Sequence, residues 1–115
     1  MEIYKITNII TGKSYIGKTT IGYVKRFEQH VRNANKGINR RLYDSIRHHG
    51  VANFSIEVLY TAKTHTELAE KEISLILQHN TLAPTGYNMT VGGEGGNTLH
   101  KWTELQKTST IQTTR

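Results

Sequence analysis

Met1-Glu2-Ile3-Tyr4-Lys5-Ile6-Thr7-Asn8-Ile9-Ile10-Thr11-Gly12-Lys13-Ser14-Tyr15-Ile16-Gly17 is the stretch whose reading decides the architecture. Ile3 to Thr7 is rich in β-formers, and Asn8 to Lys13 contains Thr11-Gly12 as turn chemistry. Ser14 to Gly17 is a second short strand, so the segment reads as a hairpin. A helix follows over about Gly22 to Asn35. At about 100° per residue, Tyr23, Val24, Phe27, Val31 and Ala34 fall on one stripe. Gly37 breaks it. A second helix, about Asn39 to His49, turns Leu42, Tyr43 and Ile46 inward and stops at Gly50. Phe54 to Tyr60 alternates, which predicts a third strand with Phe54, Ile56, Val58 and Tyr60 on one face. Thr66 is the predicted N-cap of a third helix running to about His79, with Glu67 in its first turn. Asn80 to Gly86 holds the sole proline, Pro84, and reads as a loop. Gly86-Tyr87-Asn88-Met89-Thr90 closes the unit.

Gly92-Gly93-Glu94-Gly95-Gly96 marks a boundary, because four glycines in five residues suit a linker better than an element interior. The expected organisation is one domain over residues 1–91 and a glycine-rich linker with a polar, flexible tail over residues 92–115. The tail is threonine-rich and carries Trp102 as its one large aromatic. A chain of 115 residues allows one modest core.

Composition excludes several chemistries. Without cysteine there is no disulfide, no thiolate zinc site and no thiol nucleophile. No apolar run approaches the roughly 20 residues needed to span a bilayer. The N-terminus opens directly on strand-like sequence with no secretory pattern, which predicts an intracellular protein of the cytoplasm or nucleoid. The formal charge is +6, and its distribution says more than the total. Residues 1–50 hold ten of the fifteen Lys and Arg against three acids, which is +7 for that half and −1 for the remainder. A one-sided basic field favours a polyanion, most often nucleic acid. A membrane surface fits less well, since the helices read as core-packing rather than basic and amphipathic.

Three groups of residues break the ordinary pattern. Glu72 falls near the centre of the stripe that Leu68, Ala69, Leu75 and Ile76 form on the third helix, and an inward carboxylate requires a cation, either a basic side chain or a metal. Arg26 and His30 stand four residues apart on one face of the first helix, at the edge of its apolar stripe. Tyr4 and Tyr15 lie on the two arms of the hairpin, within reach of each other across it. Each has a plain structural reading: a buried ion pair, a solvated flank, two packing tyrosines. Together they supply an acid for a divalent cation, an arginine for phosphate charge, a histidine for proton traffic and phenols beside an attacking water. That set suffices for phosphodiester hydrolysis. Gly12 followed by Gly17-Lys18-Thr19 has the spacing of a phosphate-binding loop, but the bulky Ser14-Tyr15-Ile16 between them cannot cradle a phosphate with backbone.

Ile3-Tyr4 and Tyr15-Ile16-Gly17 are similar to the paired motifs that name the GIY-YIG endonucleases. Arg26-Phe27-Glu28-Gln29-His30 resembles the Arg-x-x-x-His helix of the homing branch, Glu72 resembles the family's single metal-binding glutamate, and Gly86-Tyr87-Asn88 resembles its closing motif. The ordered set spans about residues 1–91. Glu2 departs from it by standing where the first glycine of the name motif would be. A histidine that some homing relatives carry near the second helix is also missing: Gly37, Asn39 and Arg40 occupy that stretch.

The resemblance implies an α/β fold, a small antiparallel three-stranded sheet flanked by helices. It implies a metal-dependent DNA endonuclease of homing type. The alternatives are a repair or restriction nuclease of the same family and a catalytically silent DNA-binding module. In the roles it assigns, Tyr4 is the general base with Tyr15 beside the water, Arg26 binds the scissile phosphate and His30 assists the proton network. Glu72 holds Mg²⁺, with Mn²⁺ as a substitute, and Asn88 orients the site. Lys18 contacts phosphate, and Arg40, Arg41 and Arg47 are the expected contacts to double-stranded DNA. No small-molecule cofactor and no membrane partner are expected, and the specificity module of homing relatives would be missing, truncated or supplied elsewhere.

Overall fold

A computed structural model describes residues 1–92; the tail read from sequence lies outside the described residues, apart from Gly92. Strands β1 (Glu2–Asn8), β2 (Ser14–Thr19) and β3 (Phe54–Thr61) form one antiparallel sheet in the order β2-β1-β3. Helices α1 (Tyr23–Asn35), α2 (Arg41–His49) and α3 (His65–His79) complete the unit, with a 3₁₀ turn at Val51–Asn53. The α/β expectation, three antiparallel strands and flanking helices, is met.

Strand alternation assigns the faces. On β1, Tyr4 and Ile6 point into a core with Ala34 of α1, Leu42, Tyr43 and Ile46 of α2, Phe54 and Tyr87. Ile3 points the other way, into a core with Ile16, Ala62, and Leu68 and Ile76 of α3. Cross-strand pairs share a face, so Gly17 opposite Tyr4 lies on the α1/α2 side, while Lys18 opposite Ile3 lies on the α3 side. The two layers therefore meet β2 on its two faces, Tyr15 and Gly17 on the α1/α2 side and Lys18 on the α3 side.

Three expectations are corrected. On α1 the buried residues are His30 and Ala34, with Tyr23 and Phe27 packed partly against the core, while Val24 is 54% exposed. The inward stripe is thus rotated: it runs through His30, so His30 lies at its centre instead of at its edge, because both imidazole nitrogens find buried partners. On β3 the single-face alternation fails. The pairing passes from Tyr4↔Val58 to Ile3↔Tyr60, so Leu59 is an extra residue in a bulge. Past it the side chains exchange faces: Tyr60 packs with the α3 core and Val58 is left half-exposed on an edge strand. The third helix begins two residues earlier than predicted. Thr64, not Thr66, is its N-cap, and its side chain accepts from the Glu67 backbone N–H, an S/T-x-x-E capping arrangement present in Thr64-His65-Thr66-Glu67. At the other end Asn80 closes α3 in the left-handed conformation.

Candidate active site

Tyr4 is fully buried on the central strand, and its hydroxyl meets His30 Nε2 of α1 at 2.7 Å. On its other side the imidazole meets the Tyr43 hydroxyl of α2 through Nδ1 at 2.8 Å. Tyr15 completes an aromatic cluster, with its ring 6.3 Å from Tyr4 and edge-on to His30 at 5.5 Å. Gly17 makes this possible. A Cβ there would stand 2.6 Å from Tyr4 Cζ and 2.9 Å from Tyr15 Cε2, so the second strand can carry both phenols to one point only where it has no side chain.

Charge surrounds the cluster. Burial raises the Tyr4 pKa well above the ordinary phenol, and Tyr15 and Glu72 add to the rise, while the nearby Arg26 guanidinium pulls it back. These effects place both Arg26 and Glu72 within electrostatic reach of the Tyr4 oxygen. Arg26 is half-buried and also donates to Gln29 Oε1 at 2.8 Å, which steadies the guanidinium on its helix. His30 responds oppositely. Burial, then Arg26, then Arg40 lower its pKa to about 3, so the imidazole is neutral at any ordinary pH. That has a measurable consequence for folding. An unfolded histidine titrates near about 6.5, so below that pH the unfolded chain takes up a proton that the folded chain refuses. Stability is fully present above the unfolded value and falls, by about 1.4 kcal/mol per pH unit for a single proton, as pH drops toward about 3. Urea melts at pH 7 and 4.5 should show this loss in the native protein and a flatter pH dependence in His30→Gln. Equal slopes in the two proteins would contradict a buried neutral imidazole.

Glu72 comes from the opposite layer. It is 5% exposed on the inward face of α3, and Lys18 Nζ stands 3.6 Å from Oε1. The buried ion pair expected as its plain structural explanation is therefore present, but loose: charge-assisted N–H···O bonds close to about 2.8 Å. The chain is shaped to the carboxylate from a third side. Gly92 has φ of 95°, and a Cβ there would stand 2.8 Å from Glu72 Oε1. Gly92, expected to open the linker, is thus buried against the site. Among the described residues no three His, Asp or Glu cluster in a way that would hold a metal. A cation here would have Glu72 as its carboxylate and keep much of its water. That donor set suits a hard, hydrated ion such as Mg²⁺.

Asn88 is turned into the fold. Its Oδ1 accepts from Ile16 N (2.9 Å) and Thr81 Oγ1 (2.7 Å), and its Nδ2 donates to Ile16 O (2.8 Å). With Tyr87 N donating to Ser14 O, the closing segment pairs with the outer edge of β2. Asn88 thus ties down the strand that carries Tyr15 and Gly17. Gly86 allows the close turn, since a Cβ there would stand 2.6 Å from Thr81 Cα.

The basic residues divide. Arg40, at the start of α2, is exposed and near enough to act on His30. Arg41 faces another opening, a shallow cavity of about 320 Å³ shared with Lys13, His48, His49, Asp44 and Tyr87. Arg47 ties the fold: its guanidinium donates to Ala34 O (2.7 Å) and Ile38 O (3.2 Å) and pairs with Asp44. Two polar residues escaped the sequence reading. Asn8, fully buried, donates to Ser45 Oγ and Tyr87 Oη at 3.0 Å each, while its Oδ1 accepts from Ile10 N and Thr11 N in the hairpin turn. Tyr43 reads from sequence as a core residue. The available signal was that a tyrosine on an apolar stripe still needs a partner for its hydroxyl.

One layer thus brings two phenols to a side-chain-free point on an edge strand, and the other brings a buried carboxylate to the next residue, in a fold of a known class. Residues 1–88 match the GIY-YIG catalytic domain, and the chain belongs to the GIY-YIG family. The fold is similar to the catalytic domain of homing endonuclease I-TevI, with a TM-score of 0.68 and 26% identity over 77% of this chain and 97% of that one. In sequence the chain is 32% identical over 93 residues to "Putative endonuclease segD" of Enterobacteria phage T4, and 31% identical over 99 residues to segE of the same phage. Those alignments cover 81% and 82% of this chain but only 39% and 42% of the relatives, so the chain spans about two fifths of their length.

Proposed function

We propose that residues 1–91, with Gly92 packed against them, are a metal-dependent endonuclease domain of homing type that hydrolyses phosphodiester bonds in double-stranded DNA inside the cell. The observation that carries the reading is that adjacent positions of β2 gather the two layers: the Tyr4–His30 pair meets the strand at Gly17, and Glu72 of α3 meets it at Lys18. In this reading the Tyr4 oxygen, as phenolate, takes the proton of the attacking water, with Tyr15 beside it. Arg26 serves the scissile phosphate, because a guanidinium matches phosphate oxygens with paired donors. It also favours the phenolate, as its effect on Tyr4 indicates. Glu72 would hold Mg²⁺, or Mn²⁺ in its place; when bound, the ion supplies charge stabilisation to the phosphate oxygens. Lys18, released from Glu72, would contact phosphate. His30 and Asn88 act through Tyr4 and β2. The homing assignment draws on the likeness to I-TevI and the phage relatives, and the specificity of a longer protein would come from beyond this unit.

Supercoiled plasmid separates this reading from a silent DNA-binding module. Relaxed or linear product in Mg²⁺, and none in EDTA, is the expected result. Binding without product in Mg²⁺ or Mn²⁺ would refute it. Charge gives a second expectation. Duplex binding should weaken steeply with salt as phosphate contacts release counterions, and Arg40→Ala with Arg41→Ala should reduce the log–log salt slope by about 1 to 2. Arg47 is left out of that test because removing it would open the α1 C-terminus. An unchanged slope in a fluorescence-anisotropy titration would show that the start of α2 does not face DNA.

A further inference from the structure

We propose that Tyr43 is a positioning residue for the reaction: with Asn33, it fixes the His30 imidazole in the tautomer that donates from Nε2 to the Tyr4 oxygen. This rests on Tyr4 being the base of the nuclease reading, but the geometry behind it does not. Four polar groups from β1, α1 and α2 stand in a row. Asn33 Nδ2 donates to the Tyr43 hydroxyl at 3.2 Å, that oxygen lies 2.8 Å from His30 Nδ1, and His30 Nε2 lies 2.7 Å from the Tyr4 hydroxyl. Tyr4, His30 and Tyr43 are all buried, and the half-buried Asn33 closes the row at its outer end.

Counting hydrogens gives the row a direction. A neutral imidazole carries one N–H and a phenol one O–H, and an amide nitrogen only donates. The Tyr43 oxygen therefore receives from Asn33. Its own hydrogen needs an acceptor, and among the described residues its hydroxyl meets only Asn33 Nδ2 and His30 Nδ1. The hydrogen goes to Nδ1. Nδ1 is then the accepting nitrogen, the ring proton sits on Nε2, and Nε2 donates to Tyr4. The opposite tautomer would leave the Tyr43 hydrogen buried without an acceptor, a costly arrangement.

The direction matters at the far end. With His30 donating, the Tyr4 oxygen receives a hydrogen bond from His30 and lies in the field of the Arg26 guanidinium, the pattern that favours a phenolate. With His30 accepting, Tyr4 would spend its own proton on the ring and be held as a phenol. Tyr43 thus acts on a reacting atom two hydrogen bonds away while touching neither DNA nor cation.

The imidazole ¹⁵N resonances of His30 test this in the intact protein without DNA, with assignment by loss of the signal in His30→Gln. The native protein should show the Nε2–H tautomer. Asn33→Asp is the decisive variant. It keeps the shape but replaces the donor with a carboxylate that only accepts, which draws the Tyr43 hydrogen away and should switch His30 to Nδ1–H. Tyr43→Phe keeps the core volume and removes the hydroxyl. It should lower single-turnover cleavage by about 10- to 100-fold, less than the roughly 10²–10⁴-fold that an acid–base group itself contributes, with unchanged DNA affinity. A native Nδ1–H signal, or the same tautomer before and after Asn33→Asp, would overturn the proposal, and so would full cleavage by Tyr43→Phe. A native protein that gives the expected tautomer yet cuts no DNA would sink the nuclease reading and leave the hydrogen-bond assignment standing.

Discussion

Glu72→Ala is expected to lower plasmid cleavage by at least about 10³-fold, some 4 kcal/mol of transition-state stabilisation, while the domain stays folded and still binds duplex DNA. The separation of these outcomes follows from the position of the residue. Glu72 is buried on α3 with Lys18 as its charged partner, and Lys18 is itself about one-third exposed. Deleting the carboxylate removes a desolvated charge and lets the lysine turn to solvent, so the usual penalty for breaking a buried pair is small here. The thermal midpoint should stay level or rise. DNA affinity should hold or increase slightly, because a negative charge near the phosphate path is gone. Glu72→Gln sharpens the test: it keeps nearly the full volume and loses only the charge. If Gln retains cleavage within a few-fold of the native rate in Mg²⁺, Glu72 is not the cation's carboxylate and its burial is explained by Lys18 alone. Lys18→Ala should go the other way in stability, since it strands the carboxylate in the α3 layer, and circular dichroism with urea melts would read both changes.

What the sequence disclosed and what it withheld divide along a physical line. The hairpin, both helix stops at glycine and the inward carboxylate are local or periodic features, and each was legible. The bulge at Leu59 was not. An extra residue in one strand leaves no mark in the alternation of that strand alone, because it is defined by the partner's register. The phase of α1 failed for a related reason. Valine at position 24 scores as apolar and histidine at 30 as polar, whereas tertiary hydrogen bonds to Tyr4 and Tyr43 bury the histidine and leave the valine outside. At the candidate site, the residue types were readable because carboxylate, guanidinium and phenol have distinct chemistry. Their supports were not: Asn33, Tyr43, Thr81 and Gly92 are ordinary residues until the fold sets them beside His30, Asn88 and Glu72.

Gly17→Ala should be nearly as damaging as losing the carboxylate, through a single methyl group. The backbone at this position is an ordinary strand conformation, outside the left-handed region, so alanine meets no conformational barrier there. The cost is wholly steric. The added Cβ would lie 2.6 Å from Tyr4 Cζ and 2.9 Å from Tyr15 Cε2, closer than carbon atoms approach. Tyr4 in particular cannot yield cheaply. Tyr4 is fully buried and held by His30 at 2.7 Å, and a shift of its ring breaks that bond or opens the sheet at the Tyr4↔Gly17 pair. Overpacking of this kind costs about 1–3 kcal/mol. The catalytic loss should be larger, about 10²-fold or more, since moving a reacting group by an ångström has that effect. The two consequences can be traced to one collision by a double-mutant cycle with Tyr4→Leu, which removes the ring. In that background Gly17→Ala should cost clearly less stability than it does alone, a coupling in the range of residues in direct contact. Additive costs would place the strain elsewhere on β2, and a native cleavage rate in Gly17→Ala would mean that Tyr4 need not stand where it does for the reaction to proceed.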